Sequence, residues 1–182
     1  DMAGNGPFPY MQFFVDSGES SESDMDFTSR LAERGFIVAI HSESYTSTDF
    51  DEILEQTTMV HTELTKLNNS SSSELTGSYG QFDLHHWGMA GHGIGAAVAY
   101  GAYPYWMNSS LHDIAQPPRS LFGLGVDFSE WNGGHWDDYQ PANWVHAPAS
   151  PSAGLFLTGT ADEIYTSLDA ATVLSQGDGL GW

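Results

Sequence analysis

Short runs rich in apolar residues alternate with helical patterns along the chain. We predict strands over residues 10–15, 36–40, 84–90, 121–126 and 155–158, because each is a brief run rich in apolar residues between polar or glycine-containing segments. Helical spacing of apolar residues, or a run of small ones, predicts helices over residues 24–34, 49–67, 94–102 and 168–175. Strands that alternate with helices indicate a mostly parallel sheet with helices on both faces. The pattern therefore predicts an α/β fold.

The first two predicted helices carry local end signals. Ser23 or Asp24 is placed to cap the first helix, and Gly35 stands where a left-handed C-terminal cap belongs. Asp49 and Glu52 fit a capping box at the start of the second helix. These signals place both helices between strands, as an α/β arrangement requires.

Aromatic residues are dense in the predicted loop over residues 129–152. One interpretation is that they cover the end of the sheet, and the other is that they form an aromatic wall for a sugar, lipid or polymer. The residues in question are Trp131, Trp136, Trp144 and Tyr139. We predict no cofactor and no metal site, since the histidine and carboxylates of this loop are more simply explained as solvated side chains.

Length and charge narrow the possible partners. The 182 residues suit one domain, and 24 acidic against 4 basic residues give a net charge of -20, which repels nucleic acid and anionic lipid. No stretch approaches the roughly 20 apolar residues that span a bilayer. Adaptation to salt, as in a halophilic or marine protein, accounts for the acidity, and we expect an extracellular or cell-surface location. The absence of cysteine excludes disulfides, thiolate zinc sites and cysteine nucleophiles.

Residues 91–95 (GHGIG) lie between a predicted strand and a predicted helix. In serine hydrolases that are built on such a strand–turn–helix, the sequence G-x-S-x-G lifts the nucleophile above the sheet. Here the small flanking residues fit, but Gly93 stands at the serine position. Glycine has no side-chain atom that attacks a carbonyl, so the acyl-enzyme route is closed. As a nucleotide-binding loop the segment lacks both the G-x-G-x-x-G spacing and a nearby basic residue.

In these residues the chain resembles the α/β-hydrolases, specifically the branch of dienelactone hydrolases, chlorophyllases and polyester (PET) hydrolases. That branch typically reads GHSxGG after a strand that follows an Asp-containing loop; Asp83 and His92 match this pattern, and Gly93 replaces the serine. Three further segments resemble the branch in the same order, residues 6–9 (GPFP), 31–38 (LAERGFIV) and 157–164 (LTGTADEI). The last is similar to the GxxD segment that carries the triad acid. The resemblance thus implies that Asp162 is a vestigial triad acid.

The resemblance also assigns an oxyanion hole, in which the chain departs from the family. The implied positions are Gly18, Glu19 and Ile94. The family's loop usually begins His-Gly, whereas here Ser17-Gly18 is flanked by Asp16 and Glu19. Carboxylates beside an oxyanion hole oppose the negative charge that it must stabilise.

The two ends of the family's fold have no visible counterpart. No histidine follows Asp162 in this sequence, although the triad histidine normally lies on a loop after the final strand. Strands that would precede Tyr10 are also missing. We therefore expect residues 1–182 to form a single, partial α/β-hydrolase-like domain that lacks the first and last strands.

These observations favour a non-catalytic relative of secreted carboxylic-ester hydrolases. We expect it to bind an ester-like small molecule, a polymer or a partner protein through His92, Trp131, Trp136 and Trp144. One alternative is a fragment or an inactivated form of a working esterase, since both a natural loss and an engineered replacement of the serine fit the sequence. The other is a structural cell-surface or assembly module that self-associates.

Overall fold

Strands and helices alternate along the chain in the order expected from the sequence. The computed structural model describes residues 6–16, 22, 24–41, 50–69, 81–107, 117–125 and 153–157. The strands in this part of the chain are β1 (Phe8–Phe14), β2 (Ile37–His41), β3 (Phe82–His92), β4 (Ser120–Leu124) and β5 (Ala153–Leu157). The helices are α1 (Met25–Glu33), α2 (Phe50–Asn69) and α3 (Ile94–Met107). The aromatic loop over 129–152 and the helix predicted over 168–175 lie outside the described residues.

The five strands form one sheet in the order β2-β1-β3-β4-β5. Each neighbouring pair is parallel, which confirms the expected parallel arrangement. All carboxyl ends consequently lie at the same edge of the sheet. This topology brings the end of β1, at Phe14, beside the end of β3, where the GHGIG segment begins.

One face of the sheet is covered by α1. Phe13 and Val15 are buried there, and Phe27 of α1 packs against them. The Phe27 ring lies 5.7 Å from the ring of Phe13 and stacks at 5.6 Å on Phe122 of β4. Burial of such aromatic side chains is a main stabilising term for a helix on a sheet.

The opposite face is covered by α2 and α3. Side chains alternate along a strand, so Tyr10 of β1 points away from the α1 face, and its ring stacks on Trp87 of β3 at 5.2 Å. Trp106 of α3 packs edge-on against Trp87 at 4.7 Å, and His61 of α2 packs beside it at 5.3 Å. Helices thus lie on both faces, as expected. Trp106 is buried and also belongs to this core.

A polar bridge through Gln12 connects β1 to α2 and to β2 on this face. Gln12 Nε2 donates to the Thr57 carbonyl of α2 at 3.0 Å, and Gln12 Oε1 lies 2.8 Å from His41 Nε2 of β2. Trp106 Nε1 donates to Thr57 Oγ1 at 2.9 Å. Burial lowers the pKa of His41 to about 4, so the neutral imidazole donates its Nε2–H to Gln12. Burial also raises the pKa of Tyr10, whose hydroxyl bonds His61 Nδ1.

The structure corrects two local predictions. Asp24 stands at the N-cap of α1, but its side chain makes no capping hydrogen bond, because it is turned towards His92 instead. The helix after the GHGIG segment does not end near Ala102; α3 continues through Pro104 to Met107. At the other end of α1, Gly35 has φ +90, as a left-handed C-terminal cap requires.

Candidate functional site

A tight bend joins β3 to α3 at the carboxyl edge of the sheet. β3 ends at His92 and α3 begins at Ile94, so Gly93 alone separates the strand from the helix. Gly93 has φ +55, and its N–H donates to the Leu124 carbonyl at 2.9 Å, which holds the bend against β4. The predicted strand, tight bend and helix are confirmed, with Gly93 at the apex.

The glycines that flank the apex permit close backbone packing. A Cβ atom on Gly91 would overlap the backbone of Gly95 and Ala96, and one on Gly95 would overlap the carbonyls of Phe14 and Val15. The first turn of α3 therefore lies directly on the end of β1 and against β3. This contact explains why the segment carries small residues on both sides of its apex.

Asp16 covers the apex from the end of β1. Its Oδ1 accepts a hydrogen bond from the Ile94 backbone N–H at 2.8 Å. A Cβ atom built on Gly93 would overlap the carboxylate of Asp16 at all three of its terminal atoms. The Asp16 side chain thus occupies the space into which any side chain at position 93 would project.

The electrostatics of the apex favour this arrangement. The first N–H groups of a helix have no partner within it and carry a partial positive charge, so a carboxylate is stabilised there. The Ile94 N–H is also the donor that the sequence resemblance assigns to the oxyanion hole. In this chain it already holds a carboxylate.

His92 and Asp24 form a second contact beside the bend. His92 Nδ1 lies 3.3 Å from Asp24 Oδ1; the Asp24 side chain is only 8% exposed, whereas that of His92 is 42% exposed. Asp24 belongs to the start of α1, so this pair ties α1 to the carboxyl end of β3. His92 thus packs beside the start of α1, and its imidazole is also accessible to solvent.

His85 and His86 lie far from the apex, near the start of β3. Both are exposed, and His86 Nδ1 lies 2.7 Å from Asp83 Oδ2. The pairing of β3 with β1 shifts register after Asp83, so residues 84–86 have no partner on β1. Within the described ranges, no three histidine, cysteine or carboxylate side chains are grouped as metal ligands.

Several predicted site residues lie outside the described part of the chain. They are Gly18 and Glu19 of the oxyanion loop, the triad-acid candidate Asp162, and the aromatic residues Trp131, Trp136 and Trp144. Their roles stay predictions. The structure brings together Gly93, Ile94 and His92 at the bend and adds Asp16. Sequence reasoning noted the charge of Asp16 but missed its contact with Ile94; its preference for helix N-termini was the available signal.

Comparison with known proteins identifies the fold. No protein-family profile and no curated protein sequence matches the chain. Among solved structures, a proposed carboxylesterase of Lactobacillus plantarum is similar over 97% of this chain, with TM-score 0.62 and 10% identity. Esterase B of Lactobacillus rhamnosis, solved with a tributyrin phosphonate, is similar over 97% with TM-score 0.64 and 13% identity. The chain spans 73% of the first protein and 62% of the second.

These similarities establish an α/β-hydrolase-like fold with carboxylesterases as structural neighbours. The fold expected from the motifs is thereby confirmed. Among the described helices, none is both long and apolar enough to cross a membrane.

Proposed function

We propose that this chain is a binding protein with an α/β-hydrolase-like fold that forms no acyl-enzyme at its bend. The observation that carries the proposal is the pairing of Gly93 with Asp16. Position 93 offers no nucleophile, and the carboxylate of Asp16 fills the space above it and accepts the Ile94 N–H. We further propose that the chain derives from the dienelactone-hydrolase, chlorophyllase and polyester-hydrolase branch of the α/β-hydrolases.

Two physical losses support this proposal. Removing a member of a catalytic triad lowers kcat by about 10⁴-fold or more, and losing a single oxyanion donor costs ~10²–10³-fold. Here the serine is replaced, and the Ile94 N–H already has an acceptor. A fixed negative charge at the apex also repels the oxyanion that would develop on a carbonyl.

An ester-like small molecule or a polymer is the ligand that we propose. The structural neighbours are carboxylesterases, and one of them was solved with a tributyrin phosphonate. Trp131, Trp136 and Trp144, if they line the carboxyl edge of the sheet, would supply the apolar surface that such a ligand needs. We further propose an extracellular or cell-surface location, where a strongly acidic surface suits a saline medium.

A serine-directed phosphonate probe and a chromogenic short-chain ester test the proposal. We expect the unmodified chain to show neither covalent labelling in intact-mass analysis nor turnover above buffer. The informative variant is Gly93→Ser combined with Asp16→Gly, because the serine side chain needs the space that Asp16 fills. Its matched control is Gly93→Ala with Asp16→Gly, which opens the same space without adding a hydroxyl.

The outcomes separate the proposal from its alternatives. Saturable turnover by the unmodified chain would overturn it. Turnover that appears in the Gly93→Ser, Asp16→Gly chain and not in its alanine control would indicate an esterase inactivated at positions 93 and 16. Absence of turnover in all chains, together with self-association on size-exclusion chromatography, would favour a structural module.

A further inference from the structure

The bend holds an intramolecular carboxylate where an esterase site would hold an anion. We infer that Asp16 is a built-in occupant of this site, which blocks it to external carboxylates and carbonyl oxygens. This inference rests on the proposed function and adds what keeps the site closed to other anions. Once the Asp16 side chain is removed, the site would bind a small monocarboxylate.

Asp16 contacts the start of α3 through its carboxylate. Its Oδ1 lies 2.8 Å from the Ile94 nitrogen, a distance typical of a charge-assisted hydrogen bond. Asp16 and Ile94 are 78 residues apart in sequence, so this is a tertiary contact made by the folded sheet and not a local helix cap. The site therefore demonstrably accommodates a carboxylate that comes from outside α3.

The glycine at the apex provides the space for the Asp16 carboxylate. Gly93 lacks the Cβ atom that would collide with it, and Gly93 is buried at the apex. The partly buried Asp16 carboxylate thus lies against the apex, in the space that the missing Cβ atom leaves. Removal of the Asp16 side chain would leave this space, the Ile94 N–H donor and the positive end of α3 in place.

Asp16 competes with any external carboxylate for the Ile94 N–H. An occupant tethered in the same chain acts at a high effective concentration, and a free carboxylate at millimolar concentration does not displace it. The unmodified chain should therefore ignore added carboxylates. A chain without the Asp16 side chain should bind them weakly and saturably.

Asp16→Gly and sodium butyrate provide the test. In ¹⁵N-labelled protein, we expect butyrate to shift the amide resonances of Gly93 and Ile94 of Asp16→Gly in a saturable way. At about ten times its Kd, butyrate should also raise the Tm by ~4 °C. Sodium chloride at equal ionic strength controls for screening of the acidic chain, and butyramide controls for the carboxylate charge.

Asp16→Asn is the matched control variant. Its amide oxygen keeps the shape of aspartate and still accepts the Ile94 N–H, so we expect no butyrate response. If Asp16→Gly unfolds at the assay temperature, Asp16→Ala is used, and butyrate is expected to promote its refolding where butyramide does not. A merely structural cap would lower the Tm of these variants without producing any response specific to butyrate.

Two results would overturn the inference. One is a folded Asp16→Gly or Asp16→Ala chain whose Gly93 and Ile94 amides do not respond to ~100 mM butyrate, well above weak carboxylate affinities. The other is an equal response in the unmodified chain. Both results concern carboxylate binding and not ester turnover. The proposed function is tested separately, by the labelling and turnover assays.

Discussion

Gly93 carries two constraints that no other residue type meets at the apex of the bend. Its φ of +55 costs an L-amino acid about 1–2 kcal/mol, and a Cβ atom would displace the Asp16 carboxylate from its hydrogen bond. Displacing a charge-assisted hydrogen bond costs roughly 1–3 kcal/mol more. We expect Gly93→Ala to lower the free energy of unfolding by about 2–5 kcal/mol, measured by urea denaturation.

Gly35→Ala is the matched control for the backbone term alone. Gly35 has φ +90, but a Cβ atom there would make only an ordinary 3.7 Å contact with Phe8. Gly35→Ala should lower the free energy of unfolding by about 1–2 kcal/mol, the penalty of the left-handed backbone by itself. In a chain that already carries Asp16→Gly, Gly93→Ala should lower the free energy of unfolding by no more than Gly35→Ala does. Equal costs for Gly93→Ala with and without Asp16 would contradict the coupling of these two residues.

At the scale of elements, the polar bridge through Gln12 makes the packing of β2 on β1 sensitive to pH. His41 stacks on Phe14 at 4.3 Å and donates to Gln12 as a neutral imidazole, and burial lowers its pKa from 6.5 to about 4. In the unfolded chain the imidazole takes up a proton near pH 6.5, whereas in the folded chain it does so only near pH 4. The contribution of neutral His41 to the free energy of unfolding is therefore fully present above pH 6.5 and is lost as the pH falls towards 4.

The expected loss is up to about 3 kcal/mol of the free energy of unfolding, measured by urea denaturation at pH 7, 5.5 and 4. Other groups titrate in this range, so the informative quantity is the difference between the unmodified chain and His41→Gln. The glutamine amide still donates to Gln12 and does not titrate. The free energy of unfolding of His41→Gln should therefore fall less steeply as the pH is lowered. His85→Gln, at an exposed position, should leave the slope unchanged. A His41→Gln slope that equals that of the unmodified chain would contradict the assignment.

The elements themselves were largely predictable because each follows from local pattern. All five predicted strands and the first three predicted helices fall where apolar runs and helical spacing place them, within a few residues, and the helix predicted over 168–175 lies outside the described residues. β3 is two residues longer than predicted at each end, since the polar residue Asp83 and the segment Gly91-His92 do not have the apolar pattern of a strand. α3 extends past Ala102 because tertiary packing of Tyr103 and Trp106 outweighs the helix-breaking tendency of Pro104.

The site was only partly predictable because its main contact is not local. Gly93 could be placed at the apex from the GHGIG segment, since strand, glycines and helix follow one another in sequence. The hydrogen bond from Ile94 to Asp16 depends on β1 lying beside β3. The order of strands in a sheet cannot be predicted from the sequence of any single segment. The same holds for the pairing of Asp24 with His92, which overrides the local signal for a helix cap.

At the scale of the whole molecule, the dominant property is a net charge of -20 on 182 residues. Self-repulsion of this size opposes the compact state, and salt weakens it because the Debye length falls from about 14 Å at 0.05 M to about 3 Å at 1 M. We expect the Tm to rise by on the order of 5 °C over this range of sodium chloride. Choline chloride at matched ionic strength separates screening from specific sodium binding, since screening depends on ionic strength alone. A rise with both salts indicates that the acidic surface is built for a saline medium, whereas a Tm that stays constant or falls would leave the proposed extracellular, salt-adapted setting without physical support.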